Sequence, residues 1–290
     1  MHRKSLKDLK NFSNKKVLLT GGLGFLGYQV LHQLLKKNNH ISLLVRKKSK
    51  NLNKLNFLKK KNNLKIIYCD NFFLSKKKFL KRITKNIDLV IHCAWNVEGN
   101  FMNSDKHLEC LIGTLEFAKA CIENRIQKFV GIGSCTEYDP KNGYLSVRTK
   151  LNPSTNYSAT KIATYIALKR LFESSEIDFL WCRVFYLYGE GESENRLIPY
   201  VIKMINQNKN VELTSGKQVR DYIDVRKAGK KIVKYSYSNK KNAVNICSGK
   251  GVTIKKIVTS IANKLNKKHL LKFGVRKENP FDPPKVIGIK

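Results

Sequence analysis

A glycine-rich turn set between a short apolar run and an amphipathic segment constrains this chain more than any other feature. Residues 16–20 (KVLLT) lead straight into Thr20-Gly21-Gly22-Leu23-Gly24-Phe25-Leu26-Gly27. An unbroken apolar run that stops at glycines reads as a buried parallel strand. Helix periodicity follows through Val30, Leu31, Leu34 and Leu35. Residues without side chains let backbone N–H groups approach a pyrophosphate, which then rests on the helix N-terminus. The pattern alone also fits a plain strand-to-helix turn. Its context predicts a dinucleotide site at Gly21, Gly24, Phe25, Leu26 and Gly27, with Gly27 letting helix and strand pack closely.

The same alternation continues. Strands are predicted at 40–45, 64–69, 89–94, 128–132 and 179–185, and helices at 107–123 and 157–172. Strands alternating with helices at this spacing predict an α/β fold, a Rossmann-like doubly wound parallel sheet covered on both faces. Past about residue 188 the regularity ends. Helices fit 197–206, 227–235 and 254–265, and short strands fit 211–214 and 243–247. The expected organisation is a basic N-terminal tail over 1–15, a dinucleotide-binding domain over 16–188 and a smaller substrate-binding lobe over 189–290.

Charge bears on what such a fold could bind. Lys and Arg number 57 against 21 Asp and Glu, a formal net charge of +36. That is the electrostatic footprint of a nucleic-acid binder. Lys and Asn are abundant together, however, as A/T-rich coding would produce, and the lysines are spread through nearly every segment. No specific nucleic-acid site is expected. A 42% hydrophobic content excludes a disordered polyelectrolyte. No apolar run reaches the ~20 residues of a membrane span. The seven cysteines include no Cys-x-x-Cys pair, so neither a metal site nor a disulfide framework is predicted. A cytoplasmic protein with buried thiols is the expectation.

The end of the second strand bears on which dinucleotide is bound. An acidic residue there suits the ribose of NAD, and a basic one suits the 2′-phosphate of NADP. Here Val45 is followed by Arg46-Lys47-Lys48. This favours NADP(H), with Arg46 as the clamp; NAD(H) stays open, because Lys is common throughout the chain.

A proton-transfer group lies further along. Tyr157-Ser158-Ala159-Thr160-Lys161 sets a phenol and an ammonium one helical turn apart. A nearby cation favours the phenolate and is expected to lower the phenol's pKa towards neutrality, making it a usable acid or base. Tyr165…Lys169 and Tyr237…Lys241 share the spacing. Tyr157 stands apart because it opens a helix, precedes small residues and lies 23 residues after Ser134. Ser134 ends the fifth strand, where ligands of open parallel sheets bind. The catalytic candidates are therefore Ser134, Tyr157 and Lys161. A capping role for Ser134 and an ordinary exposed tyrosine are the plainer alternatives.

The Gly21/Gly24/Gly27 loop, Asp70, His92-Cys93-Ala94, Ser134 and Tyr157/Lys161 together resemble an extended short-chain dehydrogenase/reductase. Residues 183–189 (RVFYLYG), 196–199 (RLIP) and 220–223 (RDYI) resemble its nucleotide-sugar, epimerase/dehydratase branch. The resemblance implies a nucleoside diphosphate sugar in the smaller lobe. It also implies Arg220 at the diphosphate, Arg196 and Leu197 near the nucleotide, Thr136 and Tyr186 on the substrate, and Asp70 and Ala94 on the cofactor. It implies a homodimer through the helices at 107–123 and 157–172. Dehydratases of the branch carry an Asp-Glu pair directly after the hydroxyl residue. Here those positions are Cys135 and Thr136, with Glu137 one residue on. The chain also stops soon after Pro283-Pro284, where relatives commonly continue, so a short C-terminus is expected.

The run Cys135-Thr136-Glu137-Tyr138-Asp139 and the stretch Trp181…Tyr186-Leu187-Tyr188 resemble sugar-nucleotide 4-ketoreductases, which implies a 4-ketoreductase acting on a nucleotide-linked (6-deoxy)hexose of surface-polysaccharide biosynthesis. A 4-epimerase using the same triad is the alternative. A dinucleotide-fold protein turned to RNA or another polyanion is the alternative of a different class.

Overall fold

The structure, a computed structural model, describes residues 14–290 except 38, 57, 59–61, 98 and 100. The tail expected over 1–15 thus lies almost wholly outside the described residues. In chain order the first part is β1 (Lys16–Thr20), α1 (Phe25–Leu35), β2 (His40–Val45), β3 (Leu64–Tyr68), α2 (Lys77–Thr84), β4 (Leu89–His92), α3 (Lys106–Glu123), β5 (Lys128–Ser134), β6 (Tyr144–Leu145), α4 (Asn156–Glu173) and β7 (Asp178–Val184). The second part is β8 (Tyr186–Tyr188), α5 (Leu197–Asn206), β9 (Val211–Leu213), β10 (Val219–Arg220), β11 (Tyr222–Asp224), α6 (Val225–Ser236), β12 (Asn242–Ile246), β13 (Val252–Thr253), α7 (Ile254–Lys264), β14 (Leu271–Phe273) and β15 (Lys285–Gly288).

Seven strands form one sheet in the order β12-β7-β5-β4-β1-β2-β3, and every pairing is parallel. Strand side chains alternate between faces, so β1 contributes to two cores. Val17 and Leu19 pack with Val30, Leu31 and Leu34 of α1 and Ile232 and Val233 of α6. Leu18 packs on the opposite face with Leu80 of α2, Phe117 of α3 and Leu168 and Phe172 of α4. This is the doubly wound α/β fold expected from the sequence. β1 lies between β2 and β4, so the strand order reverses there, and ligands of such sheets bind beyond the strand ends at that point.

The chain beyond 188 does not stay in one lobe. Residues 242–246 return as the edge strand of the large sheet, and α6 packs beside α1. A boundary at 188/189 therefore cuts through the layer that covers the sheet. Periodicity reports that a segment is a strand, not which sheet edge it joins. The remainder, joined by β6 and β8 from before residue 189, forms a smaller unit: a four-stranded sheet in the order β13-β10-β15-β6, the pairs β8·β11 and β9·β14, and a core of Val201, Ile205, Val211, Leu213, Val258 and Ala262. The described residues include no helix long and apolar enough to cross a membrane.

Gly27 sits where α1 meets the turn after β1, and a Cβ there would lie 2.2 Å from the Gly21 carbonyl oxygen. Gly27→Ala forces these backbones apart. An expected loss of about 1–3 kcal/mol is checked by urea unfolding.

Candidate active site

The turn after β1 is shaped by contacts that only glycine permits. Gly21 has φ +68°, and a Cβ on it would stand 2.6 Å from the Ala94 nitrogen. Gly24 accepts the first helical bond, from Tyr28 N at 2.9 Å, in an extended conformation without a side-chain cap. The first turn of α1, including Phe25 and Leu26, holds no acidic residue. The initial N–H groups of the helix thus have no side-chain acceptor at the cap, and the local field favours an anion. These features fit the pyrophosphate of a dinucleotide.

A buried hydrogen-bond chain supports this turn from beneath. The Ala94 N–H donates to Thr20 Oγ1 at 3.2 Å, and Thr20 Oγ1 lies 2.8 Å from His92 Nδ1. His92 Nε2 lies 3.1 Å from Thr114 Oγ1, whose hydroxyl donates to the Cys110 carbonyl at 2.6 Å. Thr114 has spent its proton, so Nε2 must donate and Nδ1 must accept from Thr20. Burial, with the Lys161 charge nearby, pushes His92 down to about 3, so the ring is neutral.

At the end of β2, Arg46 is exposed, and the following turn is held by Lys47 N donating to Asp70 Oδ1 at 2.6 Å. Asp70 thus fastens the basic turn to the end of β3.

Ser134 closes β5 and also caps the short helix Cys135–Glu137, so the capping alternative holds alongside the predicted placement. Its Oγ accepts from Thr136 N at 3.2 Å and Thr136 Oγ1 at 2.9 Å. Its own hydroxyl proton is then left to donate, and the serine acts on the neighbouring Tyr157 phenol to lower its pKa. Tyr157 stands in the first turn of α4, whose cap, Thr155, accepts from Ser158 N at 3.1 Å. Lys161, one turn on, is buried and donates to the Ile132 carbonyl at 2.8 Å.

The expected lowering of the Tyr157 pKa is not found. Burial, reinforced by the Glu137 carboxylate, raises it despite the opposing influence of Ser134. Burial also pushes Lys161 down to about 7. Desolvation is the largest cause of both shifts, and aromatic rings pack against both groups. Phe101 lies edge-on to Tyr157 at 5.1 Å between ring centres, and His107 lies at 5.3 Å. Trp95 faces the Lys161 ammonium at 3.5 Å. Sequence reasoning missed these three rings. Trp95 had a signal, since it directly follows Ala94, just beyond the end of β4.

The substrate-side candidates divide. Arg220 and Tyr186 are neighbours, with the guanidinium 5.5 Å from the ring centre. Arg220 is buried and bonded to Asp282 Oδ1 at 2.6 Å and to its neighbour's carbonyl, Val219 O, at 2.9 Å. Arg196 caps α5 just before Leu197, and its guanidinium lies 5.4 Å from the Phe101 ring centre, on the Tyr157 side of the site. Thr136 reaches the site through Ser134. Glu192 was also missed. One of its carboxylate oxygens is buried without a hydrogen bond, and burial raises the group to about 7.

Glu137 is fully buried and committed. It accepts from Ser134 N at 2.7 Å, Trp181 Nε1 at 3.1 Å and Arg183 Nε at 2.6 Å. It is an anchor for the strand ends, not an acid free to reach a substrate.

A family model described as the NAD dependent epimerase/dehydratase family matches residues 17–247. The chain belongs to this family. Two relatives illustrate its place in it. The dTDP-6-deoxy-L-talose 4-dehydrogenase (NAD(+)) of Aggregatibacter actinomycetemcomitans is 24% identical over 94% of this chain and 99% of its own length. The dTDP-4-dehydro-6-deoxyglucose reductase of Escherichia coli is 26% identical over 89% of this chain and 84% of its own. Among solved structures, the UDP-N-acetylglucosamine 4-epimerase from Methanobrevibacter ruminantium M1, in complex with UDP-N-acetylmuramic acid, superposes with a TM-score of 0.85. It is 24% identical and covers 96% of this chain and 90% of that one. That likeness establishes the Rossmann-type fold. The extended short-chain dehydrogenase/reductase of the nucleotide-sugar branch expected from the sequence is thus borne out, and the family's cofactor is a nicotinamide dinucleotide.

The neutral His92 at the centre of this epimerase/dehydratase-family site has a consequence for pH. Its folded pKa lies below the ordinary 6.5 of a histidine, so the unfolded chain binds the extra proton between about pH 6.5 and 3. Stability is complete above that window and falls as pH drops through it. His92→Gln should flatten this part of the unfolding free energy against pH, measured by urea titrations of both proteins.

Proposed function

We propose that the enzyme is a 4-ketoreductase acting on a nucleotide-linked 6-deoxyhexose, with NADP(H) preferred to NAD(H). The observation that carries this reading is the proton arrangement at Ser134. Thr136 fills the acceptor positions of Ser134 Oγ, which leaves the serine hydroxyl to act as a donor beside Tyr157. Tyr157 is kept protonated by burial, so it has a proton to give. That is the state needed to protonate an alkoxide developing at C4. A bound nicotinamide dinucleotide supplies the hydride. Ser134 holds the reacting oxygen in line. Lys161 supports the phenolate left on Tyr157 and grips the nicotinamide ribose.

The other candidate residues are assigned around this centre. Gly21, Gly24, Phe25, Leu26, Gly27, Asp70 and Ala94 line the cofactor side, and the exposed Arg46 supports the NADP preference. Thr136, Tyr186, Arg196, Leu197 and Arg220 form the substrate side. The commitment of Glu137 to Arg183 and Trp181 supports reduction over dehydration, because no free carboxyl follows Ser134 to expel a C6 hydroxyl. The three proteins compared are all named for chemistry at position 4 of a sugar, which supports chemistry at C4.

The test is to identify any dinucleotide released on denaturation by mass spectrometry. 4-Keto-6-deoxy nucleotide sugars are then offered with NADPH and with NADH, and consumption of the reduced cofactor is followed. Turnover with NADPH supports the proposal. Stoichiometric bound NAD with interconversion of C4 epimers overturns it in favour of the epimerase. Tyr157→Phe is expected to lower turnover by about 10²- to 10⁴-fold.

A homodimer through α3 and α4 belongs to the same reading. Leu108 and Ile112 of α3 and Ile166 of α4 are 57%, 54% and 52% exposed, an unusual display of large aliphatic side chains on two adjacent helices. Ile112→Glu should convert the dimer to a monomer in size-exclusion chromatography with light scattering.

A further inference from the structure

The Lys161 ammonium occupies a pocket with few polar groups. Its hydrogen bond to the Ile132 carbonyl is 2.8 Å long. Three rings surround it: Trp95 with its face 3.5 Å away, and Trp181 and Tyr157 at 5.7 and 5.9 Å. The ionisable groups around it are His92 and Cys93 from β4 and the turn after it, Cys110 from α3, and Glu137 from the turn after β5. His92 is neutral, and burial pushes Cys93 up to about 12 and raises Cys110 as well. Glu137 favours the charge on Lys161 but is already neutralised by Arg183. Among the described residues, the close partners of the ammonium are thus one carbonyl and one indole face.

That indole is fixed from its other edge. Trp95 Nε1 donates to His107 Nδ1 at 3.1 Å, and His107 Nε2 is 2.5 Å from the Phe101 carbonyl. Because Nδ1 receives a proton, Nε2 carries the ring's hydrogen and donates it to Phe101. His107 is fully buried at the start of α3. The orientation of Trp95 is therefore set by helix α3 and the turn before it, not by Lys161 itself.

We propose that Trp95, held by His107, is a positioning residue that seats the Lys161 ammonium on its indole face and keeps that lysine charged beside Tyr157. A cation on a desolvated tryptophan face is stabilised by up to about 2 kcal/mol. At 1.36 kcal/mol per pKa unit this corresponds to a shift of about one unit or slightly more. Burial has already brought Lys161 to about 7. A contribution of that size decides whether the side chain is charged at neutral pH. The inference rests on the role given above to Lys161 in holding the dinucleotide, and it adds the group that governs the lysine's charge.

The test uses the full chain and needs no sugar substrate. Binding of NADPH, and separately of NADH, is titrated by nicotinamide fluorescence from about pH 6 to 9. The proteins are wild type, Trp95→Phe, Trp95→Leu and Lys161→Ala, each checked for its unfolding temperature. In the wild type, affinity should weaken as pH rises and Lys161 loses its proton. Removing the aromatic face destabilises the ammonium, so in Trp95→Leu the midpoint of that loss moves down by about one pH unit. Trp95→Phe keeps a face and should stay nearer the wild type. Lys161→Ala should abolish the pH dependence.

Two results overturn the inference while leaving the Lys161 role intact. One is a Trp95→Leu midpoint equal to the wild type. The other is a loss of affinity by the same factor at every pH, which marks a merely structural wall. A pH dependence that persists in Lys161→Ala overturns the role of Lys161, and the inference with it.

Discussion

The Glu137 carboxylate ties the catalytic end of the sheet together. Fully buried, it binds the Ser134 backbone N–H on β5 and both Trp181 and Arg183 on β7. A buried charge is tolerated only when it is paired and its lone pairs are filled, and here both conditions are met. The arrangement also needs space. A Cβ on Gly133 would come within 2.2 Å of Trp181 Nε1 and 2.4 Å of Glu137 Oε1. Glycine at 133, an acid at 137 and Trp-x-Arg on β7 are therefore one device, and it fixes the serine against which Tyr157 is placed.

Around that anchor, desolvation governs the chemistry. It holds His92 neutral, raises Tyr157 and lowers Lys161. Opposite shifts of a phenol and an amine in one pocket follow from a single cause, because burial disfavours whichever form is charged. The phenol becomes a firmer proton holder and the lysine a weaker one. A simple pairing of cation and phenolate, as the Tyr-x-x-x-Lys spacing suggests, leaves out the rings of Trp95, Phe101 and His107 that pack against the two groups.

The large positive charge takes little part in this. The groups that shape the site are mostly neutral or internally paired: Arg183 with Glu137, Arg220 with Asp282, and Asp221 with the N–H groups of Ser248, Gly249 and Gly288. The lysines lie mainly on exposed helix and loop surfaces, as on α2, where Lys77, Lys78 and Lys81 face solvent while Leu80, Ile83 and Thr84 are buried. That eight-residue helix escaped the sequence reading because its short apolar stripe is diluted by lysine.

What the sequence determined by itself was local in origin. Apolar runs and glycines mark the strands and the turn at Gly21–Gly27, and the limits read for β1, β2 and α5 coincide with those in the structure. The Ser134, Tyr157 and Lys161 set was legible because strand ends and helix starts place such residues on one edge of a parallel sheet. The tertiary structure alone decided the rest. It placed Asn242–Ile246 on the edge of the large sheet, tied Glu137 to Arg183 across 46 positions of sequence, and enclosed Tyr157 and Lys161 among rings from three separate segments. Burial and pairing between distant segments carry no periodicity along the chain. The charge state of a side chain depends on those neighbours and not on its place in a motif.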